Sequence, residues 1–189
     1  MKPIILALLL LLPLPASAQD LESRIKNFRN HKRFSISYDK FRDKSRIEVG
    51  PFVVTGTVRY VSTGNMALMT ATFTFAGVRI SEPPKDFVLL FAANGRGWTF
   101  LKARELLIIV DGERFDLGEG EWDGDVEYGG TSEILGFTIP AELFKKLGTA
   151  QKAELRVGDI ELTLKDEHKE AFRDLLSLSS CTNCPRATL

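Results

Sequence analysis

Apolar and polar residues alternate along much of the chain from Phe34 onward, and this alternation predicts β-strands. In the segment 69–75, apolar residues at every second position are separated by threonines. Successive side chains of a strand point to opposite faces, so this spacing is typical of a strand with one buried face. Phe34, Ile36 and Tyr38 likewise fall on one side of a strand. Residues 87–92 are apolar at every position and predict a strand at the centre of a sheet.

Two tight turns indicate how neighbouring strands pair. Asp111-Gly112 favours a two-residue type I′ turn, and pairing outward from it puts Leu106, Ile108, Val110, Phe115 and Leu117 on one face. Gly158-Asp159 has glycine first, which suits type II′. Pairing outward from this second turn puts one apolar set on a single face: Ala153, Leu155, Val157, Ile160, Leu162 and Leu164. A slip of one residue would expose the whole set, so we expect this register to be strongly specified.

A further turn and two helices are predicted. The NGRG sequence at residues 94–97 predicts a turn into another strand at 98–101. Pro140 at a first helical position and Gly148 after a last turn delimit a short helix over residues 140–147. Asp166 is a suitable cap for a longer helix. The predicted packing face of that helix consists of His168, Ala171, Phe172, Leu175 and Leu176.

Together these elements predict a mainly β protein. We expect an antiparallel β-sandwich-like single domain over residues 34–178, with a short helix and a C-terminal helix; the alternative is an α+β fold. A polar, basic segment at 19–33 is expected to lead into the domain, as a mobile or weakly helical stretch. Residues 179–189 are expected to form a C-terminal tail.

The first 18 residues have the pattern of a cleavable secretory signal peptide. Lys2 precedes an unbroken apolar run at residues 4–12, and Ala16 and Ala18 occupy the −3 and −1 positions of a cleavage site. The run is about half of the roughly 20 residues that a membrane-spanning helix needs. We therefore expect a secreted or periplasmic protein with no membrane span after removal of the signal.

Composition and charge narrow the classes of partner. The chain is 44% hydrophobic and 26% charged, which is ordinary for a globular protein. Lysine plus arginine and aspartate plus glutamate both number 25, so global charge gives no reason to expect nucleic acid as a partner. A protein or a component of the cell envelope is the expected kind of partner.

The segment 119–127 carries a carboxylate at every second position and is the candidate metal site. Its candidate ligands are Glu121, Asp123, Asp125 and Glu127. In a glycine-rich loop such carboxylates can surround a hard cation such as calcium, although the EF-hand pattern is not met. The alternative is an exposed acidic strand edge that discourages pairing with other chains. Calcium is the only cofactor that the sequence suggests.

The remaining candidate chemistry is sparse. Cys181 and Cys184 have C-x-x-C spacing after a helix, and outside the cytoplasm we expect them to form a disulfide. An intermolecular bond and redox catalysis are the alternatives. His31 and His168 are the only histidines, and neither lies in a nucleophile motif. Arg96 lies two residues before Trp98, and the two could form a small recognition spot.

Two classes of function follow. The first is an exported, non-catalytic module that binds a partner or has a structural role. The second is a metal-dependent, calcium-type hydrolase or binding protein that uses the 119–127 segment. We favour the first, because the chain has good core patterning and no cluster of reactive groups in its sequence.

Overall fold

The computed structural model describes residues 20–54, 57–58, 66–127, 129–182 and 184. The described elements are mostly strands, accompanied by short helices. The helices are α1 (Leu21–Lys26), a 3₁₀ helix (His31–Arg33), α2 (Ala141–Thr149) and α3 (Asp166–Ser179). The strands are β1 (Phe34–Asp39), β2 (Lys44–Val54), β3 (Thr57–Val58), β4 (Met66–Ala76), β5 (Asp86–Gly95), β6 (Glu105–Val110), β7 (Glu113–Glu119), β8 (Glu121–Glu127), β9 (Gly130–Pro140), β10 (Ala153–Val157) and β11 (Ile160–Thr163).

The described strands form two antiparallel sheets. A six-stranded sheet has the order β1-β2-β4-β5-β9-β8, and a five-stranded sheet has the order β3-β11-β10-β6-β7. The chain passes from one sheet to the other between β7 and β8, which are edge strands of different sheets. The predicted β-rich antiparallel class, with a short helix and a C-terminal helix, is confirmed.

One face of the six-stranded sheet supplies much of the core. Along β5, Phe87, Leu89 and Phe91 are buried, while the residues between them are half-buried. Phe87 stacks on Phe144 of α2 at 4.2 Å between ring centroids, and Phe144 contacts Phe172 of α3 at 4.8 Å. The two helices therefore cover this face of the sheet through aromatic side chains.

The two predicted hairpins are present with the predicted pairing next to their turns. Val157 pairs with Ile160 and Arg156 with Glu161, and all six apolar residues of that hairpin face are buried. In the other hairpin Val110 pairs with Glu113 and Ile108 with Phe115. The register then shifts by a bulge between Glu105 and Leu107. The alternation of apolar and polar residues thus predicted which side chains of these strands point inward, but it did not predict the bulge.

The predicted strand at residues 98–101 is wrong. The strand before it, β5, continues to Gly95, and residues 98–101 form bends without ladder pairing. Phe100 is buried in this segment. A carboxylate from β9 holds the segment, as described below.

Both helices differ slightly from their predicted bounds. Helix α2 begins after Pro140, which is its N-cap residue, and it continues through Gly148 to Thr149. α3 packs closely on Gly148, and Arg173 of α3 donates a hydrogen bond to the Gly148 carbonyl at 2.6 Å. Lys165, not Asp166, is the N-cap residue of α3, and the helix ends at Ser179.

The basic segment before β1 contains the short helix α1, as the helical alternative for this segment predicted, and it also contributes to the core. Leu21 and Ile25 are buried, one turn apart on α1. The Asp20 carboxylate caps this helix by accepting a hydrogen bond from the Ser23 N–H at 2.6 Å. The core therefore extends to residues that precede the predicted domain boundary at residue 34.

Candidate functional site

The outer face of the five-stranded sheet forms a depression of about 1220 Å³. Along β6, the inward side chains of Leu106 and Ile108 are buried in the core. Leu107 and Ile109 alternate with them, point to the opposite face and are half-buried. They form an aliphatic stripe on the floor of the depression.

Charged residues flank the stripe on both sides because the strand register places them there. In one row across the sheet, Glu161, Arg156, Leu107 and Asp116 are neighbours on successive strands. In the next row, the neighbours are Thr163, Glu154, Ile109 and Arg114. Each aliphatic residue thus lies between side chains of opposite charge, from β10 on one side and β7 on the other.

The beginning of α3 forms one end of the depression. Lys169 is buried, and its ammonium group donates to the carbonyls of Ala150 and Gln151 at 3.3 and 3.2 Å. It also forms an ion pair with Asp166 at 2.9 Å. This hydrogen bond from Lys169 lowers the pKa of Asp166. These contacts join the start of α3 to the residues that follow α2.

The charges that line the depression are balanced. The cationic residues are Arg114, Arg156, Lys165 and Lys169, and the anionic residues are Asp116, Glu154, Glu161 and Asp166. A surface with this balance favours neither a polyanion nor a polycation. With an aliphatic stripe between the charges, it is complementary to a partner that carries both signs of charge and apolar side chains.

The acidic segment lies on β8, an edge strand of the other sheet. Glu121, Asp123 and Asp125 are exposed and point to one face, and the side chain of Glu127 lies outside the described residues. Successive members of the row are about 7 Å apart along the strand. Among the described residues, no group of three or more His, Cys, Asp or Glu side chains is arranged to hold a metal ion. The calcium hypothesis, which also involves the Glu127 side chain, stays a prediction.

A buried carboxylate that the sequence analysis did not single out organises the end of the six-stranded sheet. Glu133 of β9 is only 1% exposed. It accepts hydrogen bonds from the Trp122 indole and the Phe100 backbone N–H, both at 3.0 Å, and from the Thr99 N–H. It lies two residues before Leu135 in an inward-facing series. An acidic residue at an inward position of an alternating strand was therefore the sequence feature that could have revealed this buried carboxylate.

Trp98 contacts a residue other than the one predicted. Its ring meets the Trp122 ring at 5.6 Å, and the Arg104 guanidinium lies 4.6 Å from the Trp122 ring. Arg96 is exposed. Together with Glu133, these contacts attach residues 98–104 to β8 and β9, so we assign the cluster a structural role.

Both histidines make structural contacts. His168 Nδ1 accepts a hydrogen bond from the Lys165 N–H at 3.2 Å, and its ring packs edge-on against Phe52 at 4.9 Å. Burial lowers the pKa of the His168 imidazole. The Nδ1 atom of His31 lies 3.0 Å from the Phe28 carbonyl on the surface.

Cys181 and Cys184 lie within disulfide distance, with Cα atoms 5.5 Å apart. Cys184 is buried, and the Arg24 guanidinium of α1 lies 3.8 Å from its Sγ atom. The start of the C-terminal tail is thereby attached to the N-terminal helix. The predicted cleavage-site residues, Ala16 and Ala18, lie outside the described residues.

Comparisons with known proteins give no information on function, so the depression on the outer face of the five-stranded sheet, here called the concave face, is the basis for a functional proposal. Within the described residues, no helix is both long enough and apolar enough to cross a membrane. The chain matches no protein-family model, and no curated protein or solved structure shows significant similarity to it.

Proposed function

We propose that this protein is an exported, non-catalytic binding module whose concave five-stranded sheet holds an extended segment of another protein. The observation that supports this proposal most strongly is the aliphatic stripe of Leu107 and Ile109 between side chains of both charges. A polypeptide presents apolar and charged side chains together, so it matches such a surface better than a uniformly charged polymer does.

The size of the depression also favours a polypeptide. Its volume of about 1220 Å³ exceeds the roughly 300–1,000 Å³ of typical small-molecule pockets. Its floor is a sheet surface built from four adjacent strands, β11, β10, β6 and β7. A surface that spans four strands suits several successive residues of a partner chain.

A binding role, as opposed to catalysis, is supported by the contacts of the reactive groups. The His168 ring caps α3 and packs on Phe52, and the Glu133 carboxylate is occupied by three N–H donors. Neither group lines the depression. The charged residues that do line it alternate in sign along the sheet, an arrangement that serves recognition.

Selection from a displayed library of random peptides tests the proposal. The protein without residues 1–18 is the target, beside the variants Ile109→Lys and Ile134→Lys. Ile134 is a matched control because it is an aliphatic residue, 48% exposed, on the outer face of the other sheet. We expect peptides that contain both charge signs and apolar residues to be enriched on the unmodified protein and on Ile134→Lys, but not on Ile109→Lys.

The position of bound peptides provides the second measurement. Amide chemical-shift changes on addition of an enriched peptide should concentrate on β6, β10 and β11. Equal enrichment on all three targets, no enrichment on any of them, or shift changes on the six-stranded sheet would refute the assignment of the site.

The export component of the proposal rests on residues 1–18 and has its own test. The apolar run at residues 4–12 and the small residues Ala16 and Ala18 support a cleaved leader. Expression of the full chain in a bacterial host, followed by fractionation and intact-mass analysis, should give a periplasmic or secreted product that begins at Gln19. A cytoplasmic product that retains residues 1–18 would contradict it.

A further inference from the structure

The six-stranded sheet ends at β1, a regular edge strand. β1 pairs with β2 along its whole length, from Phe34 opposite Val49 to Asp39 opposite Lys44, without a bulge. No described strand lies on its other side. The side chains of Ser35, Ser37 and Tyr38 are exposed. The backbone groups that point away from β2 are thus in position to pair with another strand.

Apart from Asp39 at its end, β1 lacks the features that usually protect an edge strand. Such edges carry charges, prolines or bulges that prevent pairing with other chains. The run from Phe34 to Tyr38, FSISY, has no charge and no proline, and it is rich in residues that favour strands. Two other edge strands do carry protection: β8 has exposed acids, and β7 has four charged residues along its seven positions.

The sequence of β1 is symmetric about Ile36. Reading outward, Ile36 is flanked by Ser35 and Ser37, and then by Phe34 and Tyr38. Residues directly opposite each other in an antiparallel pair lie on the same face. An antiparallel copy of β1, related by a two-fold axis through Ile36, would place isoleucine opposite isoleucine, serine opposite serine and phenylalanine opposite tyrosine.

The charged residues at the two ends of β1 fit the same symmetry. The axis through Ile36 places Arg33 of one copy opposite Asp39 of the other, and this occurs twice because the interface is isologous. Both residues are exposed, and each has contacts within one copy: the Arg33 guanidinium donates to the Pro51 carbonyl at 2.6 Å, and the Asp39 carboxylate accepts hydrogen bonds from the Phe41 and Arg42 N–H groups. Their opposite charges at the two ends of the strand still attract across the axis, which favours this register.

From these observations we infer that β1 binds β1 of a second copy of this chain, in an antiparallel pairing centred on Ile36. The pairing joins two six-stranded sheets edge to edge. Phe34 and Ile36 are half-buried at the rim of the core in one copy, and the pairing covers them further. The occupant is a second copy, because the symmetry and the Arg33–Asp39 complementarity both relate β1 to itself.

Two double variants at exposed positions test this register. Ser35 and Ser37 face each other across the proposed axis, so Ser35→Lys with Ser37→Lys sets like charges opposite each other twice. Ser35→Lys with Ser37→Glu sets opposite charges there twice, on the same exposed side chains. Within one copy, the positions opposite Ser35 and Ser37 on β2 are Glu48 and Arg46, which suit lysine and glutamate respectively.

The measurement is sedimentation equilibrium of the protein without residues 1–18 over a range of protein concentrations. We expect the unmodified protein to dimerise, the Lys/Lys variant to dimerise about tenfold more weakly and the Lys/Glu variant about tenfold more tightly, each at low salt. Thermal melting of the dilute monomers checks that both variants fold.

Two results would overturn the inference. The first is a protein that stays monomeric at all concentrations, and the second is equal dimer affinity in the two double variants. The second would mean that the copies associate through another surface. The concave face of the five-stranded sheet does not enter this test, so its outcome is independent of the proposed peptide binding.

Discussion

At the residue scale, Asp174 on α3 carries a carboxyl oxygen in an unfavourable environment. Its Oδ2 atom is buried and has no hydrogen-bond partner among the described residues. Burial, and then the negative charge of Glu170, raise the pKa of this carboxyl to about 6, although Arg173 acts in the opposite direction. The folded protein therefore holds the Asp174 proton more tightly than the unfolded chain does.

Asp174→Asn is expected to stabilise the protein at neutral pH. Because the pKa is raised from 3.8 on folding, the contribution of this group to the free energy of unfolding falls as the pH rises between about 4 and about 6. The amide mimics the protonated form, so the gain at pH 7 should be about 1 kcal/mol after allowance for partial solvent screening. Thermal melts should show an increase at pH 7 and little change at pH 4. An equal shift at both pH values would contradict the assignment.

Glu133 gives the opposite prediction. Its carboxylate satisfies three N–H donors in a buried position, so Glu133→Gln replaces one acceptor oxygen with a donor that faces other donors. We expect a loss of about 2 kcal/mol in the free energy of unfolding, measured in urea, with a change in tryptophan emission. Glu121→Gln, at an exposed acid on β8, is the control and should change stability little.

These two residues also show what sequence can reveal at this scale. Glu133 continues the inward-facing series of β9, so a closer examination of the alternation could have found it. The buried oxygen of Asp174 could not have been found in the same way. It lies on α3 beside charged residues, and only the packing of the folded chain determines which of its oxygens loses solvent.

At the element scale, the β10–β11 hairpin is where local sequence was most informative. Alternation and the order of glycine and aspartate in the turn predicted its register, which is confirmed from Glu154–Thr163 to Val157–Ile160. The Gly158 N–H also donates to the Glu105 carbonyl at 2.9 Å, which docks the turn against the start of β6. Nothing in the local sequence indicates this contact, because its partner is distant in the chain.

Replacement of the two turn glycines by alanine should distinguish the cost of a positive φ angle from the cost of a steric collision of the new Cβ atom. Gly158 and Gly112 both have positive φ values, 54° and 92°. A Cβ atom at Gly158 would collide with the Ala103 carbonyl oxygen, whereas one at Gly112 would meet nothing within 4 Å. We expect Gly158→Ala to reduce the free energy of unfolding by about 3 kcal/mol and Gly112→Ala by about 1 kcal/mol. Equal losses in chemical denaturation would show that the collision relaxes at no cost.

At the scale of the whole molecule, the class of fold was predictable but the arrangement of layers was not. Period-two patterns marked the inward faces of both sheets, and helical patterns marked α2 and α3. The burial of α1 was missed because Leu21 and Ile25 are isolated among polar residues. The depression on the outer face of the five-stranded sheet was missed because it depends on the pairing of β6 with β10, two strands that are distant in sequence.

Calcium should have little effect on the molecule. The acids of β8 project from one strand about 7 Å apart, whereas calcium ligands lie about 2.3–2.6 Å from the ion. We expect no change in melting temperature on titration with calcium chloride. A rise that disappears in the variant Asp123→Asn with Asp125→Asn would revive the metal hypothesis and identify its ligands.

The layering of the two sheets has a consequence for attachment. The inward residues of both sheets form one core, so the five-stranded sheet lies on the core side of the six-stranded sheet. In the proposed dimer, the two-fold axis through Ile36 is perpendicular to the six-stranded sheet and would keep both five-stranded sheets on one side of the joined sheet. The two depressions that we propose to bind peptides would then lie on the same side of the dimer. Such a dimer would bind multivalently to a surface that displays many copies of a weakly bound segment. When one depression releases its segment, the other keeps the dimer at the surface, so the segment rebinds before the dimer dissociates.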